Sequence, residues 1–490
     1  MTTTEATRPR PLRGLPTVPV WLKCALAGIC IAGSVPPWGW WPLAFIGFAI
    51  LDRLLVDTTA KQRFRRMWMV GVWWLGPAML WMLDLTPPGY LIAVLLFAAY
   101  YGIAAALTPP DHRRRWVFPG AFAVAELVRW YWPFGGVPLA NVALSQVDSP
   151  IGQTARLFGP LFVIIVVIVI GQALAAAVVE RETTAPRIAA GLVVVALAAA
   201  WLHPQAEVVD QLDVAVVQGG GPTRTRASSD QQPVVLARHI EATRDISGPV
   251  DLVLWPENVV NPGRFLNIDD AAERVSGVAI EQNATLLPGW FYPVENNTAT
   301  VNYHTAVAPD GEEVARYDKV RIVPFGEYVP LRGLIERFSS EIPSRDVIQG
   351  TAPAVLDTPV GVVGVAISWE AYFERRSRDA IENGAQLLVN PTNGSSYWLT
   401  QVHTQQVASN QLRAIENDRW LLMAAPTGLS AVINANGDLI QRTDIGERAV
   451  LEATVEMRNG RTLASLVGFW PVLIYGLGAI VAGRLLGRDS

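Results

Sequence analysis

The sequence predicts two kinds of fold in one chain: a polytopic α-helical membrane part of about eight spans, and an extracytoplasmic α/β part placed before the last span. Three observations carry this prediction. The 490 residues are 51% apolar and only 17% charged, with 18 Trp, too apolar a composition for a purely water-soluble chain. Apolar stretches recur at 20–35, 39–57, 67–85, 89–107, 116–132, 157–179, 187–203 and 464–483, close to the ~20 residues that a helix needs to cross a bilayer. Between the last two, short β-branched runs alternate with polar, helix-like stretches, the pattern of layered sheets and helices. The expected parts are therefore 1–203 (seven helices), 204–463 (the α/β domain) and 464–490 (the last helix and tail).

The first apolar stretch is short. It follows Arg8, Arg10 and Arg13 without a small-residue cleavage site, and reads as a retained signal anchor. Loop charges set the orientation. The tail, the Lys61–Arg66 loop, the His112–Arg115 loop, the Arg181–Arg187 loop and the Arg484/Arg488 tail are basic, whereas 84–89 and 133–155 contain no Lys or Arg. The positive-inside rule then puts both termini in the cytoplasm and residues 204–463 outside. A formal net charge of −4 gives no reason to invoke nucleic acid. Cys24 and Cys30 both fall in the first apolar stretch. Six residues apart on a helix they point in different directions, so they read as small apolar residues rather than a disulfide.

In the α/β part, Leu212–Gln218, Val250–Trp255, Thr285–Trp290, Tyr303–Ala308, Gly361–Ile367, Leu387–Val389 and Leu421–Ala425 read as strands. Helices are expected at 230–246, 269–283, 373–383 and 398–418. Pro309-Asp310-Gly311 is a turn signal, and Thr223–Ser229 reads as an exposed loop.

Three chemical groups follow strands or sit in an irregular loop. Trp255-Pro256-Glu257 ends one strand. Tyr317-Asp318-Lys319 precedes Val323-Pro324-Phe325-Gly326-Glu327-Tyr328, with the lysine eight residues before the glutamate. Val365-Ala366-Ile367-Ser368-Trp369-Glu370 ends another strand. A carboxylate beside a nucleophile can take up its proton, a lysine can stabilise an oxyanion, and Glu327 and Glu370 can order the lysine and pocket. His239, His304 and His403 lie outside these motifs and read as structural or solvated.

Together these motifs resemble the Glu, Lys and nucleophile positions of the nitrilase superfamily, and nearly the whole chain resembles bacterial apolipoprotein N-acyltransferases. The resemblance implies a nitrilase-like α-β-β-α sandwich, with Glu257 as base, Lys319 as oxyanion stabiliser, Glu327 as supporting glutamate and Ser368 at the nucleophile position. Asn302-Tyr303 matches a strand near the pocket, and Trp369, Glu370 and Tyr328 belong to its lining. Asn390-Pro391-Thr392-Asn393 matches an Asn-containing loop whose aromatic is displaced here to Tyr397 and Trp398. Arg413 and Glu416 fit the following helix. The resemblance further implies a multi-pass cell-membrane protein without metal or organic cofactor. Its acyl donor would be a phospholipid and its acceptor the N-terminal amine of a diacylglyceryl-cysteine lipoprotein. The charge-poor, aromatic-rich segments Pro36–Trp41 and Trp130–Gln146 suit a lipid entrance.

The departure is Ser368, because that superfamily uses cysteine there. A thiol is partly ionised near neutrality, whereas a hydroxyl needs a base in the transition state. Reduced or absent activity is therefore expected. Three readings stay open: a substitution introduced to trap a complex, a native serine in a silent or altered relative, or a slower working nucleophile. A catalytically silent lipid-binding scaffold for another envelope-biosynthesis protein is the alternative function. A tethered amide hydrolase is a third.

Overall fold

The computed structural model describes residues 18–84, 86–222, 232–262, 266–294, 298–335, 345–394 and 400–486. Arg8, Arg10, Arg13, Thr223–Ser229, Tyr397 and Trp398 lie outside the described residues. Among the described residues seven α-helices come first: α1 (Val20–Ser34), α2 (Pro42–Leu55), α3 (Ala60–Ala78), α4 (Pro87–Leu107), α5 (Arg114–Tyr131), α6 (Ala155–Val178) and α7 (Thr184–Trp201). Among the described residues, Pro87–Leu107, Pro150–Val178 and Thr184–Trp201 are long and apolar enough to cross a membrane. Val20–Ser34 and Trp470–Leu485 are shorter apolar helices.

One expectation fails here. Lys61–Arg66 is not a loop but the first turns of α3. The Thr59 hydroxyl accepts from the Gln62 amide (3.3 Å), and the Gln62 side chain accepts from the Thr59 amide (3.0 Å), a reciprocal cap that starts the helix early. Arg63 is buried there, and its Nε donates to the Ala105 carbonyl at the end of α4 (3.1 Å). α6 breaks at Phe158–Gly159 (φ +72° at the glycine), just before Pro160, which cannot continue the preceding hydrogen-bond ladder.

The α/β part runs β1 (Glu207–Gln218), α8 (Gln232–Thr243), β2 (Leu252–Leu254), α9 (Ile268–Gln282), β3 (Thr285–Leu287), β4 (Gly289–Val294), β5 (Ala299–Val307) and β6 (Glu313–Asp318). It continues through α10 (Arg332–Ile335), β7 (Asp346–Val347), β8 (Val355–Thr358), β9 (Gly361–Val365), α11 (Glu374–Glu382), β10 (Leu387–Pro391) and α12 (Thr400–Asn417). Last come β11 (Leu421–Ala424), β12 (Ala431–Ile433), β13 (Leu439–Arg442), β14 (Ala449–Asn459), α13 (Leu463–Val467) and α14 (Trp470–Leu485). The first sheet has the order β14-β1-β2-β3-β5-β4, with β6 and β7 also paired to β5; the second is β13-β12-β11-β10-β9-β8. β1–β2–β3 and β9–β10–β11 are parallel.

Alternation along the strands builds the layers. Leu212, Val214 and Val216 of β1 join Val363, Val365 and Leu387 in a core between the sheets. Ala215 and Val217, pointing the other way, pack on Leu236 of α8 and Val275 of α9. On the far side of the second sheet, Val407 and Ala414 of α12 extend the same apolar cluster, while Ala408, Leu412 and Ile415 enter the core of the N-terminal helices. α12 is thus shared between the two parts.

Its buried glutamines fasten that junction. Gln401 accepts from the Trp81 amide (3.2 Å) and donates to the Pro77 carbonyl (2.7 Å). Gln405 accepts from the Ala140 amide (2.8 Å) and donates to Pro36 (3.2 Å) and Ala78 (3.0 Å) carbonyls. These helix ends lie opposite a cluster in which Glu180 pairs with Arg53, Arg114 (3.1 Å) and Arg115 (2.5 Å). Gln405→Leu leaves one amide and two carbonyls without their buried partner. It should lower unfolding stability in detergent by about 1–3 kcal/mol, read from the denaturant midpoint, with Gln282→Leu at the solvated end of α9 as the near-neutral control.

Candidate active site

Three segments of the first sheet bring one lysine between two carboxylates. β2 delivers Trp255, whose amide donates to Leu287 (3.0 Å) and whose indole N–H donates to the Thr243 hydroxyl (2.9 Å). Glu257 follows, with Asn258 in the left-handed region (φ +64°), a conformation that costs a non-glycine residue energy and concentrates at functional sites. The neighbouring strand passes this corner only because residue 289 is glycine. A Cβ there would stand 2.4 Å from the Pro256 carbonyl and 2.9 Å from the Glu257 Cα.

Asn302 on β5 donates from Nδ2 to Oε1 of Glu257 (2.8 Å) and to Oε1 of Glu327 (2.9 Å). The Lys319 amide donates to the Asn302 carbonyl (2.9 Å), so the lysine leaves β6 beside it. Lys319 Nζ reaches Glu257 Oε1 at 2.9 Å and Glu327 Oε1 at 2.7 Å, with the side chain 1% exposed. Glu327 sits on a tight turn closed by its own amide on the Val323 carbonyl (2.8 Å), and its Oε2 accepts from the Val323 amide (2.7 Å). Burial alone would depress the lysine pKa, but the two carboxylates outweigh it and raise the pKa above the ordinary lysine value. Lys319 is therefore a fixed cation at neutral pH.

Ser368 sits just beyond β9, at the start of a short 3-10 turn (Ser368–Tyr372) and with φ +52°. That backbone turns its side chain out of the strand end. Glu370, fully buried, fastens this turn to the lysine loop. It accepts from the Ile367 amide (2.8 Å), the Val320 (3.0 Å) and Arg321 (2.8 Å) amides, and the Tyr317 hydroxyl (2.9 Å). Burial raises its pKa above the usual carboxylate range despite Arg376 and the backbone donors. One side chain thus spans from the residue before Ser368 to the residue after Lys319.

Ser368 lines a pocket with Trp369, Tyr372, Thr392, Val402, Gln406 and Val323. Trp81 and Leu139 of the helical part close its other side. Trp369 packs edge-on against Tyr372 (5.2 Å between ring centres) within the apolar cluster around Trp81 and Leu139. Val323 ties the two centres together, because it lines the serine pocket while its amide holds Glu327.

The structure thus gathers Glu257, Asn302, Lys319 and Glu327 in one hydrogen-bonded cluster, and joins Ser368, Trp369 and Glu370 to it through the Glu370 carboxylate. Tyr328 points elsewhere: its hydroxyl donates to the Phe134 carbonyl in the loop after α5 (3.3 Å). Arg413 and Glu416 pair with each other at 2.8 Å. Thr392, Gln406 and Trp81 were not singled out from sequence. Thr392 lies inside the quoted Asn390–Asn393 loop, but no pattern along the chain marks which of those side chains meets residue 368.

Two family profiles cover most of the chain. Carbon-nitrogen hydrolase matches residues 213–464, and the apolipoprotein N-acyltransferase N-terminal domain matches residues 27–173. The chain belongs to the apolipoprotein N-acyltransferase family. It carries that family's nitrilase-like fold in its α/β part. A protein of Mycolicibacterium smegmatis named apolipoprotein N-acyltransferase is 29% identical over 91% of this chain and 82% of its own. Another so named, from Photobacterium profundum, is 24% identical over 94% of each. The solved structure of Saccharomyces cerevisiae Nit3, a member of branch 10 of the nitrilase superfamily, covers 52% of this chain and 93% of its own, at 16% identity and TM-score 0.39, a likeness too distant to weigh in the assignment.

Lys319→Met keeps the length of the side chain and removes the charge, leaving Glu257 and Glu327 facing each other. It should cost about 3–5 kcal/mol of unfolding stability, as expected for a buried pair losing one partner. Because the folded pKa is raised, this contribution is fully present below the ordinary lysine pKa and fades only as pH rises through the folded value. The difference between wild type and Lys319→Met, measured by chemical unfolding, should therefore not shrink between pH 6 and 9.

Proposed function

We propose that this chain transfers an acyl group from a phospholipid to the N-terminal amine of a diacylglyceryl-cysteine lipoprotein, through an ester on Ser368. The observation that carries this reading is the buried Glu257–Lys319–Glu327–Asn302 cluster, complete and fastened to the Ser368 turn by Glu370. A lysine and two carboxylates at these positions do little for stability that apolar side chains would not do as well, but they are what an acyl transfer requires.

In the first half-reaction, Ser368 Oγ attacks the ester carbonyl of the lipid while Glu257 accepts the hydroxyl proton. The developing oxyanion faces the Lys319 ammonium, which is already in place and needs no reorganisation. The carbon–oxygen bond to glycerol breaks, and Glu257 returns the proton to the leaving lysophospholipid oxygen. In the second half, the amine of the acceptor attacks the serine ester and Glu257 takes its proton; the carbon–Oγ bond breaks as the amide forms, and Glu257 passes the proton to Ser368 Oγ. Asn302 and Glu327 hold the base and lysine, and Trp369 walls the pocket. Tyr328 braces the loop after α5.

We further assign the chain eight spans with both termini in the cytoplasm, in the division 1–203, 204–463 and 464–490, as a multi-pass cell-membrane protein with the α/β part on the outer side. Two facts support this. The α/β part meets the helix ends around Pro36, Pro77 and Ala140, whereas the arginines of α2 and α5 gather at the opposite ends. The Ser368 pocket is closed on one side by Trp81 and Leu139, which suits a lipid entering from the helical part along the charge-poor segments.

An oxygen nucleophile and an oxygen ester are each slower than their sulfur counterparts, so turnover is reduced by serine rather than abolished. Full-length protein in mixed micelles with phospholipid and a diacylglyceryl peptide should form N-acylated peptide by mass spectrometry. Ser368→Cys should raise the rate by about ten- to hundredfold, Ser368→Ala should abolish it, and Glu257→Gln should lower it by about 10²–10⁴. A Ser368→Cys protein that leaves the peptide unmodified would refute the reading.

A further inference from the structure

Ser368 Oγ has a single hydrogen-bond partner among the described residues, the Thr392 hydroxyl at 3.2 Å. Which hydroxyl gives its proton follows from the amides behind Thr392. Asn390 Nδ2 donates to the carbonyls of Ala366 (2.5 Å) and Ser368 (3.4 Å), so its Oδ1 faces α12 as an acceptor. Asn410 Nδ2 (2.9 Å) and Gln406 Nε2 (3.2 Å) both donate to that oxygen. Gln406 must therefore turn its amino group this way, and the same Nε2 stands 2.9 Å from Thr392 Oγ1.

An amide nitrogen only donates. Thr392 accepts from Gln406, and its own proton is left to give. Two acceptors lie at 3.2 Å, Ser368 Oγ and Gln406 Oε1. A hydroxyl already bound to one end of an amide cannot aim well at the other end of the same amide, so the proton goes to Ser368. Asn390 and Asn410 are fully buried, and Thr392 and Gln406 are each 2% exposed, so no bulk water competes for the bonds among these four side chains.

We propose that Thr392 is a further catalytic group, oriented by Gln406 and Asn390 as positioning residues, which donates to Ser368 Oγ and makes the serine a working nucleophile. With one lone pair occupied by Thr392, the serine's own proton is free to leave toward Glu257. The negative charge that grows on Oγ strengthens the Thr392 bond, since a hydrogen bond to an ionised acceptor is about twice as strong as a neutral one. A donor to the charged form favours ionisation. A thiolate needs less of this help because sulfur ionises near neutral pH unaided. The proposal rests on the acyl-transfer reading of Ser368 and names what tunes that site.

The test uses full-length protein in detergent micelles and a fluorophosphonate probe. Serine Oγ forms an O–P bond, fluoride leaves, and the proton passes to Glu257. Labelling is followed by in-gel fluorescence and located by mass spectrometry. Wild type should label at Ser368. Thr392→Val, which keeps shape and removes the hydroxyl, should slow labelling by about 10- to 100-fold at a temperature where thermal unfolding shows the variant still fully folded. Thr392→Ser should restore most of the rate, which a purely packing role would not allow, and Gln406→Leu should fall between. Labelling of Thr392→Val at the wild-type rate would overturn the assignment, as would a Thr392→Ser protein as slow as Thr392→Val. An unlabelled wild type would overturn it too. In that case, lipopeptide acylation by Ser368→Cys would leave the acyl-transfer reading standing, and its absence would remove both.

Discussion

The structure turns on one buried cation. Lys319 is 1% exposed and lies within 2.9 Å of Glu257 and 2.7 Å of Glu327. Taking an ammonium out of water costs several kcal/mol unless its partners are close and themselves held. Here they are held from three directions: Glu257 by the corner after β2, Glu327 by the 323–328 turn, and both by Asn302 of β5. The parallel order of β1–β2–β3 and the antiparallel pairing of β5 with β6 are what put those segments within reach. Glycine at 289 is a consequence, since only a residue without Cβ passes the Glu257 corner.

The second constraint is α12. One stripe of it packs into the sheets and another into the N-terminal helices, and buried amides serve both sides. Gln401 and Gln405 satisfy backbone groups at the ends of the helices, while Gln406 and Asn410 satisfy the loop beside Ser368. Residues four apart lie on one face of a helix, so the 401/405 and 406/410 pairs form two adjacent polar ladders. The helical part and the serine pocket thus share α12, beside other bonds between the two parts such as that from the Tyr328 hydroxyl to the Phe134 carbonyl. This explains how Trp81 and Leu139 come to wall a site built at the ends of strands.

Much of this was legible in the chain. Leu212–Gln218, Gly361–Ile367 and Leu421–Ala425 stand out because strands buried on both faces read as continuous apolar runs. Glu257, Lys319 and Ser368 stand out because they follow such runs. Other features were hidden for physical reasons. Thr285–Trp290 reads as one strand but is two, interrupted at Pro288. β14 escapes notice because Glu452, Thr454, Glu456 and Arg458 alternate along a half-exposed strand. The helix start at Ala60 is set by a Thr59–Gln62 cap that a run of basic residues obscures. The meeting of Thr392 with Ser368 depends on β10 lying beside β9, a register that exists only in three dimensions, and the polar ladders of α12 look like a solvated helix until the neighbours on both sides are known.

The central claim is that Glu257, Lys319 and Ser368 act on one acyl group. The most direct measurement incubates the full-length protein with a phospholipid bearing isotopically labelled chains, without any acceptor, and maps the adduct by peptide mass spectrometry. The account predicts one acyl chain on the peptide containing Ser368, lost in Glu257→Gln and released when a diacylglyceryl peptide is added. An adduct on another residue, or one on Ser368 that forms equally well without Glu257, would contradict it.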